Sequence, residues 1–424
     1  MPATSKLSAE RRKLKKHRTY TNLVNTAVCE GQTGNIDSAV ALLREAIGMD
    51  CTRPEVWNNL GQCASDLGQF DQAPFYFQRA LQCIEKSGTP ISAARNTLLA
   101  FAYSMMRLGQ FEYIWPVWES ARIGSSWHPF PGIPVWDGKP TANLLVVPEG
   151  GYGDGFCFLR WIKHMAQAYL AWADFGGPQW KGPRWRATLL IWPALFEFSK
   201  KVLGDRAPGT TVLPLTYEFR HGELSQFSAC TSILSFPAML PMQSWDYIPP
   251  PLEWQPRGYF ELGHPLDRIG FCWRAEENGS SRPIRSLSRE AADAIGRKLG
   301  AKGAEVISLC PRTANLIKPA DGEAERFFPA RTHQDDAALA DWESTAVTIL
   351  HCKLVVTVDT AVAHLAGSLG VPTLCLLPLR SDWKWGTADK PCPPWYGSKF
   401  QIFRNQNPLT WDIDRIKEAL EPML

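Results

Sequence analysis

The stretch Leu354-Val-Val-Thr-Val-Asp-Thr-Ala-Val-Ala-His-Leu-Ala-Gly-Ser-Leu-Gly370 decides the fold of this chain. Its continuous apolar and β-branched start predicts a buried parallel strand. Asp359 and Thr360 can cap the next element, since Ala361 to Leu369 have helical spacing that ends at a glycine. A further apolar run, Val371 to Leu377, predicts another strand. The sequence therefore predicts a strand–turn–helix–strand unit within a parallel α/β sheet.

The turn of this unit brings a carboxylate, a hydroxyl and an imidazole to the start of a helix. These groups belong to Asp359, Thr360 and His364. In open α/β sheets, phosphorylated ligands bind at such helix N-termini, where backbone N–H groups face the ligand. The spacing fits equally a capped unit that binds no ligand, so both interpretations stay open at this point.

Length and composition limit the class of protein. At 424 residues the chain predicts about two to four domains. Hydrophobic content of 45% and charged content of 21% are typical of globular proteins. No apolar run reaches the roughly 18 residues of a membrane span, and the polar N-terminus lacks the apolar core of a signal peptide. Eleven scattered cysteines without a C-x-x-C pair favour a cytoplasmic location, and a net charge of +3 is too small to predict a polyanionic partner.

The N-terminal third contains a repeat. Gly34-Asn35-Ile36 recurs as Gly68-Gln69-Phe70, about 34 residues later, which is the period of tetratricopeptide repeats. Trp57-x-x-Leu60-Gly61 matches the first-helix signature of that repeat, and Ala73-x-x-x-Phe77 matches the second. The small residues predict close approach of two helices in each repeat.

A third copy of the repeat follows at Leu108 to Phe111, about 41 residues after the second. The longer offset places about seven inserted residues around Lys86 to Ser92. Two or three repeats form a short solenoid, which can bind a peptide or protein partner or serve only as a packing platform for its neighbour. Before the repeats, the basic cluster Arg11 to Arg18 predicts either contact with nucleic acid or a solvated helix face.

A glycine-rich turn follows the repeats. Asn143 to Val147 predicts a buried strand and Phe156 to Leu170 a helix, with Glu149-Gly-Gly-Tyr-Gly-Asp-Gly155 between them. Such a turn lets backbone N–H groups approach a ligand closely. Asp154 is its most informative residue, since a carboxylate there faces the crevice at the end of the sheet; the alternative is an aspartate that only caps the helix. The turn glycines are Gly151, Gly153 and Gly155.

A second α/β half follows the first. The proline-rich segment Tyr247 to Trp254 suits neither a central strand nor a helix interior and marks the boundary. The predicted fold class is therefore α + α/β, a helical repeat array followed by two Rossmann-like doubly wound halves in a GT-B arrangement. The predicted divisions are a basic arm (1–19), the repeats (20–125), an acceptor-side half (126–250) and a donor-side half (251–424).

The motif order resembles that of a known class of proteins. The repeats are followed by the Gly-Tyr-Gly-Asp turn with Phe158-x-Arg160, by Val358-Asp-Thr-Ala-Val-Ala-His-Leu-Ala-Gly367, and by Ser381-Asp-Trp-Lys-Trp385 with Pro394-Trp-Tyr396. This order is similar to that of bacterial repeat proteins whose C-terminal region resembles heptosyltransferases (glycosyltransferase family 9). The resemblance covers roughly residues 20 to 424.

The resemblance implies that a sugar moves from a nucleotide-sugar donor to an acceptor hydroxyl with inversion. In that family the aspartate of the Gly-Asp turn is the proposed base, which matches Asp154. The Asp-Thr turn holds the donor, which matches Asp359, Thr360, Ala361 and His364. Helix-terminal N–H groups would stabilise the diphosphate without a metal, so no metal and no cofactor besides the nucleotide-sugar co-substrate is expected.

Two further sets of residues are candidates for ligand contact. Arg274, Arg282 and Arg285 lie in one loop of the second half, and guanidinium groups suit phosphate, although the family uses a lysine near this position. The alternative is a solvated loop. Trp383 and Trp385 could stack on a sugar, or they could be core residues.

Three functional hypotheses remain. The first is an active glycosyltransferase whose repeats dock the acceptor or a partner. The second is a non-catalytic adaptor on a degenerate transferase scaffold, and the third is a glycosyltransferase acting on modified nucleic-acid bases. The acceptor could be a glycan, a protein or a modified nucleic acid, and the sequence determines neither the donor sugar nor the oligomeric state.

Overall fold

The structure is a computed structural model of the chain. The structure describes residues 3–123, 130, 132–139, 141–175, 186–239, 254, 266–275, 285–310, 316–317, 325–326, 329, 332–333, 339–387, 395–407 and 410–424. Most of the predicted boundary at 247–254 and most of the arginine loop, Arg282 included, lie outside these residues.

The N-terminal part is an array of antiparallel helix pairs. Each turn between the two helices of a pair contains a glycine with positive φ, at Gly34, Gly68 and Gly109 (86°, 73° and 78°). Only glycine adopts this conformation without strain, so the recurring glycine is the structural basis of the repeat. The helices are α1 (Ala3–Lys16), α2 (Tyr20–Gln32), α3 (Ile36–Met49), α4 (Pro54–Asp66), α5 (Ala73–Lys86), α6 (Arg95–Arg107) and α7 (Phe111–Ile123).

Packing inside the second repeat follows its sequence signature. A Cβ placed on Gly61 would lie 2.7 Å from Cε1 of the Phe77 ring, so α4 and α5 approach as closely as the small residue permits. The basic segment at the N-terminus forms part of the same array, because α1 buries Leu14 in one apolar cluster with Leu23 of α2. The predicted helical repeats are confirmed.

The first α/β half has a parallel sheet of order β3-β2-β1-β4. Its central strand is fully buried, as expected for a sheet covered on both faces. Its elements are β1 (Leu144–Val147), α8 (Tyr152–Phe175), β2 (Ala187–Ile191), α9 (Phe196–Leu203), β3 (Thr210–Pro214), β4 (Ala229–Ser232) and α10 (Phe236–Met239).

The second half has a parallel sheet of order β12-β11-β10-β5-β6-β9, and β7 and β8 form a separate antiparallel pair. The elements are β5 (Leu266–Cys272), α11 (Arg289–Leu299), β6 (Glu305–Ser308), β7 (Leu316–Ile317), β8 (Glu325–Arg326), β9 (Thr332–His333), α12 (Trp342–Leu350), β10 (Cys352–Val358), α13 (Ala361–Leu369), β11 (Thr373–Leu377), β12 (Phe400–Arg404) and α14 (Ile413–Leu420). The two Rossmann-like sheets confirm the predicted fold class.

The last repeat helix is joined firmly to the first half. Arg122 of α7 ion-pairs with Glu149, which follows β1, and with Glu119 of its own helix. Ser232 at the end of β4 donates to Glu149 at 2.7 Å, and α7 contributes Trp115 to the large apolar core of both halves. The repeats are therefore part of one packed body with the first half. Among the described helices, none is long and apolar enough to span a membrane.

Candidate functional site

Both sheets place a turn at the point where their strand order reverses. In the first sheet this is the turn after β1, beside β4; in the second it is the turn after β10, beside β5. Ligands of open α/β sheets bind at such switch points. The two turns meet: a Cβ on Gly153 would lie 2.8 Å from Cδ2 of His364 and 3.5 Å from the Cα of Ala361. The N-termini of α8 and α13 therefore face each other across the boundary of the halves.

A cavity of about 1210 Å³ opens at this meeting point. It is lined by both turns, by the start of α12, by the segment after β11 and by the inner faces of α4, α5 and α6. Every candidate residue of the two turns lines it except Gly155. Gly155 packs away from the cavity, because a Cβ there would lie 2.9 Å from Cδ1 of Leu195.

Asp154 lies in the first turn of α8. The helix begins at Tyr152, earlier than the sequence predicted, because Oδ2 of Asp154 accepts a hydrogen bond from the Gly151 N–H at 2.8 Å. This bond satisfies one of the free donors at the helix start. The second oxygen, Oδ1, is 2.8 Å from Nζ of Lys384 in the other half. The carboxylate thus stabilises the helix and also crosses the cleft.

Lys384 is the site residue that the sequence did not reveal. Its ammonium is buried and also lies 2.9 Å from Oδ1 of Asp382. Burial opposes the charged form, but the two carboxylates outweigh it and raise the pKa of Lys384 well above its usual value. The pKa of Asp382 is lowered, since Lys384 overcomes the opposing effect of burial. A positive charge is therefore fixed beside the N-terminus of α8.

The cap predicted for α13 is not made by either side chain. Asp359 accepts from Nε1 of Trp385 at 2.9 Å, and burial raises the pKa of its carboxyl group. Thr360 occupies the N-cap position but makes no side-chain cap bond; its Oγ1 lies 3.3 Å from Oγ1 of Thr357. That part of the sequence prediction was wrong, because Trp385 engages the Asp359 carboxylate and the Thr360 hydroxyl lies between Thr357 and Sγ of Cys272. The first turn of α13, with Ala361, consequently faces the cavity without a capping side chain.

His364 is held rigidly one turn further along α13. Its Nδ1 is 2.7 Å from the hydroxyl of Tyr396, and its ring stacks on Trp385 at 4.7 Å between centroids. Burial, assisted by the charge of Lys384, lowers the pKa of His364 to about 3. The imidazole is therefore neutral at neutral pH. When the Tyr396 hydroxyl donates to Nδ1, the imidazole proton lies on Nε2 and can be donated.

Replacement of His364 by Gln should change the pH dependence of stability. The folded state keeps the imidazole neutral, whereas the unfolded state binds a proton near pH 6.5, so wild-type stability falls as the pH is lowered from about 6.5 towards about 3. Between pH 7 and pH 5 the wild type should lose about 2 kcal/mol more unfolding free energy than the variant. Urea unfolding at both pH values measures this difference, in which all other titrating groups cancel; equal losses would contradict a neutral buried His364.

The arginines flank the start of α13. Nη1 of Arg285 donates to the backbone oxygen of Asp359 at 3.4 Å, and both Arg285 and Arg274 line the cavity. Of the two predicted tryptophans, Trp385 lies in the core, whereas Trp383 is largely buried but lines the cavity. Trp385 is fully buried between His364 and Phe400. Trp383 packs edge-on to Trp115 at 5.5 Å. The complete burial of Trp385 leaves no face of that ring for a sugar.

Within the part of the chain that the structure describes, no group of three or more His, Cys, Asp or Glu side chains is arranged to hold a metal ion.

The tetratricopeptide repeat family model matches residues 54–83, which extend from α4 into α5. No curated protein matches the chain.

Solved structures similar to the chain include glycosyltransferases of low identity. For the E. coli ADP-heptose LPS heptosyltransferase II, identity is 16%, coverage is 66% of this chain and 98% of that chain, and the TM-score is 0.44. For the family 9 glycosyl transferase of Veillonella parvula, identity is 12%, coverage is 68% of this chain and 98% of that chain, and the TM-score is 0.40. For a point mutant of the Thermobaculum terrenum O-GlcNAc transferase, identity is 14%, coverage is 100% of this chain and 89% of that chain, and the TM-score is 0.33.

Proposed function

We propose that the chain is a metal-independent, inverting glycosyltransferase that moves a sugar from a nucleotide-sugar donor to an acceptor hydroxyl. The observation that carries the proposal is the meeting of two helix N-termini from opposite halves inside one cavity. Each helix N-terminus carries partial positive charge and unpaired backbone donors. Two of them facing each other suit a ligand with two linked phosphates.

Charged side chains add to this positive potential. Arg285 is fixed beside α13 through the Asp359 carbonyl, whereas the charge of Lys384 beside α8 is already balanced by Asp154 and Asp382. Arg274 lines the same cavity. Guanidinium and ammonium groups hold phosphate oxygens strongly where water is excluded. The diphosphate would therefore be bound by the protein itself, with Ala361 and Thr360 at the phosphates and His364 at the donor sugar.

The carboxylate of Asp154 supplies the base. In the proposed reaction the acceptor oxygen forms a bond to the anomeric carbon while the bond from that carbon to the diphosphate oxygen breaks. The acceptor proton passes to Asp154, and the electron pair leaves with the diphosphate, which the positive groups stabilise. The ion pair with Lys384 holds the carboxylate at the cavity wall, where an acceptor hydroxyl can reach it.

The acceptor would approach from the repeats. The inner faces of α4, α5 and α6 continue into the cavity, where Tyr103 is exposed while Phe70 and Phe77 are buried. Aromatic surfaces of this kind suit a polypeptide or a glycan. The basic segment Arg11 to Arg18 gives less support to a nucleic-acid acceptor, since Arg11 ion-pairs with Glu30 and Arg18 with Glu45.

Replacement of Arg285 by Gln should weaken binding of nucleoside diphosphates about tenfold, because a charged hydrogen bond to phosphate contributes about 1.5–3 kcal/mol. Calorimetric titration of wild type and variant with nucleosides, nucleoside diphosphates and nucleotide sugars, each with and without EDTA, measures the effect. Arg297→Gln is the matched control, since Arg297 is an exposed arginine of α11 and does not line the cavity.

The same titrations separate the transferase from the adaptor hypothesis. Binding that requires the diphosphate, survives EDTA and weakens in Arg285→Gln supports the transferase. Equal affinity for nucleosides and nucleoside diphosphates, or no binding at all, would leave the scaffold as an adaptor. Loss of binding with EDTA would remove metal independence from the proposal.

A further inference from the structure

The segment after β11 connects the repeats to the base. We call Leu379–Trp385 the bridging loop, because it starts against the repeats and ends at Lys384 beside Asp154. Its two ends contact parts of the chain that are far apart in sequence. Most residues of the bridging loop line the cavity.

The repeats hold the first residues of the bridging loop. Nη1 of Arg380 lies 2.6 Å from Oδ1 of Asp66, at the end of α4. Arg107, at the end of α6, donates from Nη2 to the backbone oxygen of Ser381. Leu379 packs on Gly68, where a Cβ would lie 2.9 Å from its Cδ1. Two successive repeats therefore fix three successive residues of the loop.

The remainder of the loop is fixed by the second half and by the last repeat helix. Nη1 of Arg404, on β12, donates to Oγ of Ser381 at 2.7 Å, and its Nη2 donates to the backbone oxygen of Trp385 at 2.9 Å. Trp383 is wedged against Trp115 of the last repeat helix. Lys384 has little freedom to move between these attachments, so its distance to Asp154 depends on where the repeats place the start of the loop.

We propose that the repeat array is a structural part of the catalytic site, in which Asp66 and Arg380 act as positioning residues that set Lys384 against Asp154. The inference rests on the proposed transferase function, and it differs from acceptor docking because it requires the repeats even for the smallest acceptor. A displacement of about 1 Å at a catalytic group can lower a rate by about 10²-fold.

Charge reversal of the pair tests the proposal. Asp66→Arg and Arg380→Asp should each lower kcat about tenfold with a small soluble acceptor, while KM for the donor stays within about twofold, because the diphosphate groups are untouched. The double variant Asp66→Arg/Arg380→Asp restores the ion pair with opposite polarity and should recover kcat to within about threefold of wild type. Glu45→Arg, which breaks the Arg18–Glu45 pair elsewhere in the repeats, should leave kcat unchanged.

Amide hydrogen exchange of the bridging loop provides a readout that does not depend on turnover. Exchange of residues 379–387 should accelerate in either single variant and return to the wild-type rate in the double variant. Unchanged exchange and unchanged kcat in the single variants would overturn the positioning role. If the wild type transfers no sugar but exchange follows the expected pattern, the transferase proposal fails while the mechanical link between repeats and Lys384 stands.

Discussion

An Asp154→Asn variant is expected to bind the nucleotide-sugar donor with wild-type affinity and to transfer sugar about 10³-fold more slowly. The amide cannot accept the acceptor proton, but its oxygen can still accept the hydrogen bond from the Gly151 N–H that starts α8. Lys384 retains Asp382 as a partner, so the cleft should keep its shape. Single-turnover kinetics give the transfer rate, and calorimetry gives donor affinity.

The control for this substitution is Asp137→Asn, which removes an exposed carboxylate of the first half that pairs only locally with Lys139. It should transfer at the wild-type rate. Full activity of Asp154→Asn would exclude Asp154 as the base. A parallel loss of donor affinity would instead assign the carboxylate to the architecture of the binding site.

A Lys384→Met variant should be destabilised by about 3 kcal/mol. Methionine keeps the length and the apolar part of the side chain but leaves Asp154 and Asp382 without their common counter-charge. The lower end of the range for broken buried pairs applies because both carboxylates retain some solvent contact. Urea unfolding at pH 7 measures the loss.

The triple variant Asp154→Asn/Asp382→Asn/Lys384→Met separates charge imbalance from lost packing. With all three charges removed, most of the unfolding free energy should return, because replacing a whole buried ion group by neutral residues is nearly free of cost. Transfer should stay at least about 10³-fold slower than in the wild type, as in Asp154→Asn. A triple variant as unstable as Lys384→Met would show that the lysine stabilises the fold through its packing rather than its charge.

Local signals explain what could be predicted from the sequence. Helix α13 was predicted for residues 361–369 and is observed there. The prediction was possible because the β-branched strand before the helix, the first residues of the helix and the glycine that ends it lie within one short segment. The turn glycines of the repeats, Gly34, Gly68 and Gly109, could be predicted as well, because each lies within one short repeat motif. The Gly-Asp turn was also predicted, although α8 starts about one turn early because Asp154 satisfies the Gly151 N–H.

Long-range contacts explain what the sequence did not show. Strand β4 reads Ala-Cys-Thr-Ser, which has little strand preference and becomes a buried strand only through pairing with β1. Lys384 stands between two tryptophans and resembles any surface lysine until the fold places Asp154 opposite it. For Asp359, the local capping rule was overridden by Trp385 from a later segment, and the Thr360 hydroxyl lies near Sγ of Cys272 on β5.

Contacts between distant parts of the chain also set the order in which the site can form during synthesis. Arg107 and its acceptor Ser381 are 274 residues apart, and Arg160 of α8 donates to the backbone of Trp395, 235 residues later. Translation at about 5–20 residues per second leaves the repeats and the first half outside the ribosome well before these partners appear. Until then the glycine turn of α8 has no lysine beside it. The nascent chain can therefore fold its repeats and first half before Lys384 is available to pair with Asp154.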